Sequence, residues 1–231
     1  MQNEKDGDVL TTKIVVSYNG AHPYFTNAGS IGVSFPLQDR YTGSVTCRDY
    51  RCHAHVFCGE NTSYIMALRM GGAAPHLGMV LTKGSLSAYS IERDLKLQSN
   101  DRGCFWLHPS AQEFAPGDTM TLEWKVFPHQ GREDFREKLR AFPRVILVDA
   151  EQYVIYPGET SKVTIEPTFP AEKVTINGAS LEKTENGVYE YLFENEKTGE
   201  YVLSICADEV KTTCRLLVPV SYTHLRAHET L

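Results

Sequence analysis

Short stretches in which apolar and polar residues alternate dominate the N-terminal part of the chain. They read TKIVVSY, RCHAHVFC, SYIMALRM, LGMVLTKG, LSAYSIER and TMTLEWKVF. Successive side chains of a strand point to opposite faces, so this period predicts half-buried β-strands. The segment Lys83–Ser85 is a predicted tight turn, and APGDT (Ala115–Thr119) and YPGET (Tyr156–Thr160) predict type II turns that lead into strands.

One amphipathic helix is predicted within GREDFREKLRAF, residues Gly131–Phe142. Phe135, Leu139 and Phe142 recur at helical spacing and form a single apolar stripe. Asp134 and Lys138, one turn apart, form a favourable pair. The proline that follows cannot continue the helix, so the helix is expected to end there.

The sequence pattern changes after Pro143. Seven short β-like runs follow up to Val218: RVILV, QYVIY, KVTIEP, KVTIN, VYEYLFE, EYVLSIC and KTTCRLLV. Asn-Gly pairs at Asn177–Gly178 and Asn186–Gly187 predict turns between them. The chain is therefore predicted to be all-β: a β-sandwich domain with one helix over residues 1–143, then an immunoglobulin-like β-sandwich over residues 144–219.

Charge and composition exclude some functions. The 231 residues include 23 Lys+Arg and 29 Asp+Glu, for a net charge of −6, and no basic patch typical of nucleic-acid binding is seen. No apolar run is long enough to cross a bilayer. The opening MQNEKDGDVL is polar and acidic, unlike a signal peptide. Either the chain is cytoplasmic or its natural start lies upstream, in a periplasmic or secreted parent.

The C-terminal stretch VSYTHLRAHET, Val220–Thr230, resembles a translated sequencing adapter residue by residue. We therefore expect residues 220–231 to be a non-native tail. The alternative is a genuine polar terminus, since chain ends are often poorly ordered.

The six cysteines are predicted to act as small apolar residues. They are Cys47, Cys52, Cys58, Cys104, Cys206 and Cys214. A hairpin with a two-residue loop at Asp208–Glu209 would place Cys206 opposite Lys211 and Cys214 opposite Leu203. The two thiols would then point to opposite faces of the sheet, where they cannot form a bridge.

The stretch CRDYRCHAHVFCGEN is the densest group of chemically active side chains. On a strand, His53 and His55 share one face while Cys52 and Val56 share the other. Two histidines can be zinc ligands, but a tetrahedral site needs four, and the cysteines do not share their face. We rank a structural role first, recognition of a sugar or carboxylate by Arg51, His53 and His55 second, and a metal third. No metal or other cofactor is expected.

The segment from Tyr89 to Pro109 holds a second group of candidates. Glu92, Asp94 and Asp101 suggest the paired carboxylates of a glycosidase, but a solvated loop with local Arg–Asp pairs accounts for them better. Trp106 offers a flat face on which a sugar can stack. Strand alternation requires one of Phe105 and Trp106 to face the core, without indicating which.

The runs YRCHAHVFCGENTSYIMALRMGG, APHLGMVLTKGSLSAYSIERD, SNDRGCFWLHP and PGDTMTLEWKVFPHQGREDF together resemble a known family. It is the β-supersandwich of gut bacterial carbohydrate-active enzymes, in which a supersandwich, sometimes with an immunoglobulin-like insertion, precedes an (α/α)6 toroid of the six-hairpin glycosidase type. The resemblance covers Phe25 to Phe142. It implies a polysaccharide-degrading parent, a glycoside hydrolase or a lyase, whose main acid and base lie on a toroid that one predicted helix cannot form.

Loops of such a supersandwich can border the substrate cleft. This implies candidate glycan contacts, which are Arg51, His53, His55, Arg69, Arg102 and Trp106. No catalytic residue is assigned. The expected partners are a poly- or oligosaccharide and a missing C-terminal helical domain of the same chain.

The leading hypothesis is thus a truncated, non-catalytic β portion of a bacterial polysaccharide-degrading enzyme, which supports the helical domain and contacts glycan. The alternative is a self-contained surface module that binds carbohydrate or protein through an exposed row of Tyr50, Tyr89 and Trp106. A complete hydrolase that uses Glu92 with Asp94 or Asp101 is the third hypothesis.

Overall fold

The computed structural model describes residues 1–27, 29–92 and 104–220. The chain divides into two compact units, Met1–Pro143 and the part from Arg144 onward. Both consist mainly of antiparallel strands, so the predicted all-β sandwich class is confirmed. Neither helix of the described chain has the length and apolar character that crossing a bilayer requires.

Six strands of the first unit coincide with the six alternating runs that the sequence predicted as strands. Its strands are β1 (Gln2–Asp6), β2 (Val9–Ser17), β3 (Tyr24–Phe25), β4 (Val33–Pro36), β5 (Cys52–Gly59), β6 (Thr62–Arg69), β7 (His76–Lys83), β8 (Leu86–Glu92), β9 (Cys104–Pro109), β10 (Glu113–Phe114) and β11 (Thr119–His129). Its helices are α1 (Ser44–Tyr50) and α2 (Arg132–Arg140). A six-stranded sheet has the order β1-β2-β11-β7-β6-β5, a three-stranded sheet has the order β4-β9-β8, and β10 pairs with β3.

The two larger sheets of this unit enclose one apolar core. Ile65, Met79 and Leu122 project from the six-stranded sheet toward Leu86 and Phe105 of the three-stranded sheet. Along β9, buried and partly exposed residues alternate, and Phe105 is the buried member of its pair with Trp106. Burial of these side chains is the main stabilising contribution to the unit, since apolar area removed from water favours folding.

Helix α2 covers the opposite face of the six-stranded sheet. The ring of Phe135 lies 5.8 Å from that of Phe127 and 5.7 Å from that of Tyr64, between ring centroids. The Lys138 Nζ lies 3.4 Å from the Asp134 carboxylate, as predicted from their spacing. The predicted helix is therefore confirmed.

Helix α1 corrects the expectation of a single helix. It is seven residues long, buries none of its side chains and has no side-chain cap, so its sequence carries no apolar stripe from which it could be predicted. Its role is geometric, because it brings Asp49, Tyr50 and Arg51 to the beginning of β5.

Strand β5 is an edge of the six-stranded sheet, and a neighbouring segment covers the edge at its beginning. The Cys52 N–H donates to the carbonyl of Gln38 over 3.1 Å. The Ala54 N–H donates to the carboxylate of Asp39, also over 3.1 Å, and Asp39 is fully buried. Residues 37–39 thus satisfy backbone donors that an open edge would leave exposed.

The second unit contains seven strands in two sheets. They are β12 (Ile146–Ala150), β13 (Thr160–Pro167), β14 (Val174–Ile176), β15 (Ala179–Leu181), β16 (Tyr189–Glu194), β17 (Gly199–Ala207) and β18 (Val210–Val218). The sheets have the orders β12-β13-β16 and β15-β14-β17-β18. The run QYVIY, predicted as a strand, forms only a single bridge between Val154 and Leu217, whereas β15 was not predicted.

The turns between β14 and β15 and between β17 and β18 agree with the sequence prediction. Asn177 and Gly178 both have positive φ between β14 and β15, as an Asn-Gly hairpin turn requires. The β17–β18 register pairs Cys206 with Lys211 and Leu203 with Cys214, as predicted. All six cysteines are free thiols.

Candidate functional site

A cleft of about 480 Å³ opens at one end of the first unit. The ends of β4, α1 and β6 and the beginning of β7 form it. Its lining consists of Pro36, Leu37, Gln38, Asp49, Tyr50, Arg51, Cys52, Ala67, Arg69, Pro75, His76, Leu77 and Pro128. Two of the predicted glycan contacts, Arg51 and Arg69, are in this lining.

Strand register explains why these two arginines meet. Cys52 and Arg69 are direct partners in the β5–β6 ladder, so Arg51, one residue before Cys52, reaches the same end of the sheet. The Met70 N–H donates to the Arg51 carbonyl over 2.9 Å and closes the ladder there. The arrangement is therefore held by backbone hydrogen bonds, on rigid elements rather than on a loop tip.

The two guanidinium groups keep most of their donors for a ligand. Arg51 Nη1 donates to Gln38 Oε1 over 2.6 Å, and Arg51 Nε is buried without a partner among the described residues. Arg69 Nη2 reaches the carbonyl of Asp49 at 3.5 Å, the limit of a hydrogen bond. Across the described parts of the chain, neither guanidinium forms an ion pair with a carboxylate.

The one acidic side chain that the described residues contribute to the cleft is already engaged. Asp49 accepts two hydrogen bonds from Arg48, at 2.7 Å from Nε and 3.1 Å from Nη2. The hydrogen bond from Arg48 holds the pKa of the Asp49 carboxyl below its usual range, and the charges of Arg48 and Arg69 act in the same direction. Because this negative charge is paired, the cleft presents two arginines to a ligand with little opposing charge.

The remaining walls are largely apolar. Tyr50 is 73% exposed and Leu77 is 42% exposed, so both side chains offer apolar surface to a molecule in the cleft. Cys52 is not a nucleophile, because burial raises the pKa of its thiol to about 11 and leaves it protonated at neutral pH.

The two predicted histidines lie elsewhere. On β5, Cys52 and Val56 pack toward the core while His53 and His55 face away from it, as the alternation predicted. His53 Nδ1 lies 3.3 Å from the hydroxyl of Tyr41. His55 Nε2 lies 3.4 Å from Nη2 of Arg132. They do not line the cleft.

Metal binding finds no structural basis in the part of the chain described. No group of three or more His, Cys, Asp or Glu side chains is arranged to hold an ion among residues 1–27, 29–92 and 104–220.

Trp106 belongs to a third surface, the outer face of the three-stranded sheet. Its Nε1 donates to Glu92 over 3.3 Å. It pairs across the sheet with Ser90, whereas Tyr89 pairs with Leu107, so Tyr89 and Trp106 point to opposite faces. The expected aromatic row of Tyr50, Tyr89 and Trp106 is therefore wrong.

Three of the sequence candidates lie outside the described residues: Asp94, Asp101 and Arg102. Conversely, the sequence analysis missed Gln38, His76 and Leu77. A signal for His76 and Leu77 was present, because the bend after β6 returns the chain as β7 beside Arg69.

Comparison with known proteins places this geometry in context. No family model matches the chain, and no curated protein matches it. Among solved structures, it is similar to the polysaccharide lyase BACCELL_00875, with 30% sequence identity and a TM-score of 0.85 over 97% of this chain. The chain spans 34% of the length of that lyase. The protein is thus a β-sandwich protein of the kind found in carbohydrate-active enzymes, similar throughout its length to part of a polysaccharide lyase.

Proposed function

We propose that this chain is the β-sandwich portion of a polysaccharide-degrading enzyme, and that its cleft contacts an acidic glycan. The observation that carries the proposal is the similarity to a polysaccharide lyase over 97% of the chain, together with two arginines in one cleft that form no ion pair among the described residues. The similarity favours a lyase parent over a glycoside hydrolase. We propose further that the parent's helical domain and its acid–base groups lie outside this chain, which corresponds to 34% of the lyase.

The lining of the cleft suits a sugar that carries a carboxylate. A guanidinium group matches the geometry of a carboxylate and forms short, charge-assisted hydrogen bonds with it. Arg51 and Arg69 supply such donors, while Tyr50 and Leu77 supply apolar surface against which the carbon face of a sugar ring can pack.

The same lining argues for binding rather than bond cleavage within this chain. Hydrolysis of a glycosidic bond uses two carboxyl groups that face each other across the substrate. Among the described residues, Asp49 is the only carboxylate in the lining, and Arg48 engages it. In a lyase, cationic groups that neutralise a uronate carboxylate ease removal of the neighbouring proton, so this cleft would contribute binding and charge while another domain supplies the base.

Affinity gel electrophoresis of the purified chain tests the proposal. We expect retardation in gels that contain alginate, pectate or hyaluronan and none in gels with dextran or xylan. Arg51→Ala and Arg69→Ala should each weaken binding by about tenfold or more, the usual effect of losing a charged hydrogen bond. Arg215→Ala is the matched control, because Arg215 is an exposed arginine of the second unit paired with Glu200.

Three results would contradict the proposal. Equal retardation by neutral and acidic polymers would instead favour a general carbohydrate-binding module. Unchanged binding in both cleft variants would move the site elsewhere. Formation of unsaturated sugar by the purified chain alone, followed by ultraviolet absorbance, would show that the chain is catalytic.

A further inference from the structure

We propose that His76 is a positioning residue that holds Arg69 in the cleft, and that protonation of the buried His76–His129 pair in mild acid releases Arg69. The part that concerns glycan rests on the proposed function above. The positioning itself is a property of this chain and can be measured without any ligand.

The two imidazoles form a buried pair behind the cleft. His76 and His129 are direct partners in the β7–β11 ladder, and their ring centroids lie 5.3 Å apart. His76 is 8% exposed and His129 is fully buried. Nε2 of His129 has no hydrogen-bond partner of good geometry within the described residues.

His76 is connected directly to Arg69. The backbone N–H of Arg69 donates to Nδ1 of His76 over 3.1 Å. The regular ladder between β6 and β7 ends at the pair of Ala67 with Leu77, so the imidazole takes the place of a backbone acceptor for the last residue of β6. The imidazole therefore adds to the hydrogen bonds that hold the Arg69 backbone, beside the pairing of Arg69 with Cys52 in the β5–β6 ladder.

That hydrogen bond requires a neutral imidazole. A ring nitrogen accepts a hydrogen bond only when it carries no proton, so His76 has its proton on Nε2. Protonation at Nδ1 turns the acceptor into a second donor that faces the Arg69 N–H. This hydrogen bond is then lost, and the end of β6 is released on its β7 side while it stays paired with β5.

Charged side chains from several elements surround the two histidines. Helix α2 contributes Asp134 and Lys138, whose Nζ donates to the Pro128 carbonyl over 2.7 Å. Strand β6 contributes Arg69. From the end of α1, the same cleft contains Asp49 and Arg51.

These surroundings leave the pair short of compensating negative charge. Burial lowers the pKa of His129, and the neighbouring His76 lowers it further, while backbone hydrogen bonds with Gly131 and Leu77 and the Asp134 charge oppose this in part. His129 is thus neutral near pH 7, and charging both buried imidazoles together would be costly.

The pH dependence of binding can reveal protonation of a histidine, because neither the carboxylate of an acidic sugar nor an arginine changes its charge in the range where histidine titrates. Carboxylic acids ionise near pH 4 and arginine remains charged at all relevant pH values, so both are charged from about pH 5 to pH 7.5. A loss of affinity within this window must come from another group. Histidine is the side chain that titrates there.

Amide hydrogen exchange measured by NMR at pH 7.5, 6.5 and 5 tests the positioning. We expect the protection factor of the Arg69 amide to fall by about tenfold between pH 7.5 and pH 5 in the wild-type chain. His76→Gln offers a carbonyl oxygen that does not titrate, so protection should remain and lose its pH dependence. His76→Leu should lose protection at every pH. His22→Gln is the control, since His22 is exposed and lies far from His76 in the sequence.

The same variants are then compared in gels with the acidic polymer that binds best. Binding by the wild type should weaken by about tenfold at pH 5, and binding by His76→Gln should not. An Arg69 amide that responds to pH in a chain that binds no polymer would support the positioning and overturn the proposed function. An Arg69 amide whose protection is the same at all three pH values would overturn the positioning, whatever the chain binds.

Discussion

Phe127 and Phe135 stack at an interplanar angle of 15°, and Gly78 lies directly beneath them. A Cβ at Gly78 would come within 2.7 Å of the Phe127 ring and 2.9 Å of the Phe135 ring. The absence of a side chain at this one position of β7 is therefore what allows α2 to rest on the sheet.

We predict that Gly78→Ala destabilises the first unit by about 1–3 kcal/mol, because one added methyl group would force both rings to move. The free energy of unfolding in urea measures the effect. Gly43→Ala is the matched control, since nothing lies within 4 Å of a Cβ at Gly43, and this change should be close to neutral. Equal effects of the two substitutions would contradict the packing described for α2.

A second prediction concerns Glu60, whose carboxylate connects two turns of the first unit. Glu60 Oε2 accepts hydrogen bonds from Ser85 Oγ, at 2.7 Å, and from Ser110 Oγ, and the two serine hydroxyls lie 2.6 Å apart. Glu60→Gln replaces the charged acceptor by a neutral amide, so we expect a loss of about 1–3 kcal/mol in the free energy of unfolding. Glu4→Gln, on the exposed strand β1, should change it by no more than about 0.5 kcal/mol. A loss at Glu60 no larger than that at Glu4 would mean that the cluster adds nothing to stability.

A third prediction follows from the lowered pKa of His129. The unfolded chain binds a proton at His129 near the ordinary pKa of 6.5, whereas the folded chain binds it only at lower pH. The stabilising contribution of the neutral, buried imidazole is thus fully present above pH 6.5 and is lost as the pH falls below it. Thermal unfolding midpoints at pH 7.5 and pH 5 should show the wild type less stable in acid.

His129→Gln separates this effect from the titration of other groups. The variant should be less stable than the wild type at pH 7.5, and the difference between the two should shrink at pH 5. A difference that stays constant over this range would exclude His129 as the source of the pH dependence.

The sequence predicted those parts of the fold that depend on local chemistry. Alternation located β5 to β8, and it placed His53 and His55 on the face opposite Cys52. The loop of two residues between β17 and β18 determined which residue faces Cys206, because antiparallel register follows from loop length.

The sequence predicted only part of the cleft. Arg51 and Arg69 were candidates, but their meeting depends on the pairing of β5 with β6, and His76 enters through a bend whose direction no local pattern specifies. Helix α1 lacks buried residues, so its position depends on contacts from other segments rather than on its own periodicity. Trp106 was grouped with residues that lie on other surfaces, because shared chemistry does not establish proximity.

Residues 37–39 lie beside both the β5 edge of the six-stranded sheet and the cleft. The backbone carbonyl of Gln38 accepts a hydrogen bond from the main chain of β5, and its side-chain amide oxygen accepts one from Arg51. The carboxylate of Asp39 accepts a further hydrogen bond from the main chain of β5. Widening the cavity by moving this segment would uncover a strand that can recruit another polypeptide. The width of the cleft and resistance to self-association are consequently coupled, and selection for a wider cleft would have to provide a new cover for that edge.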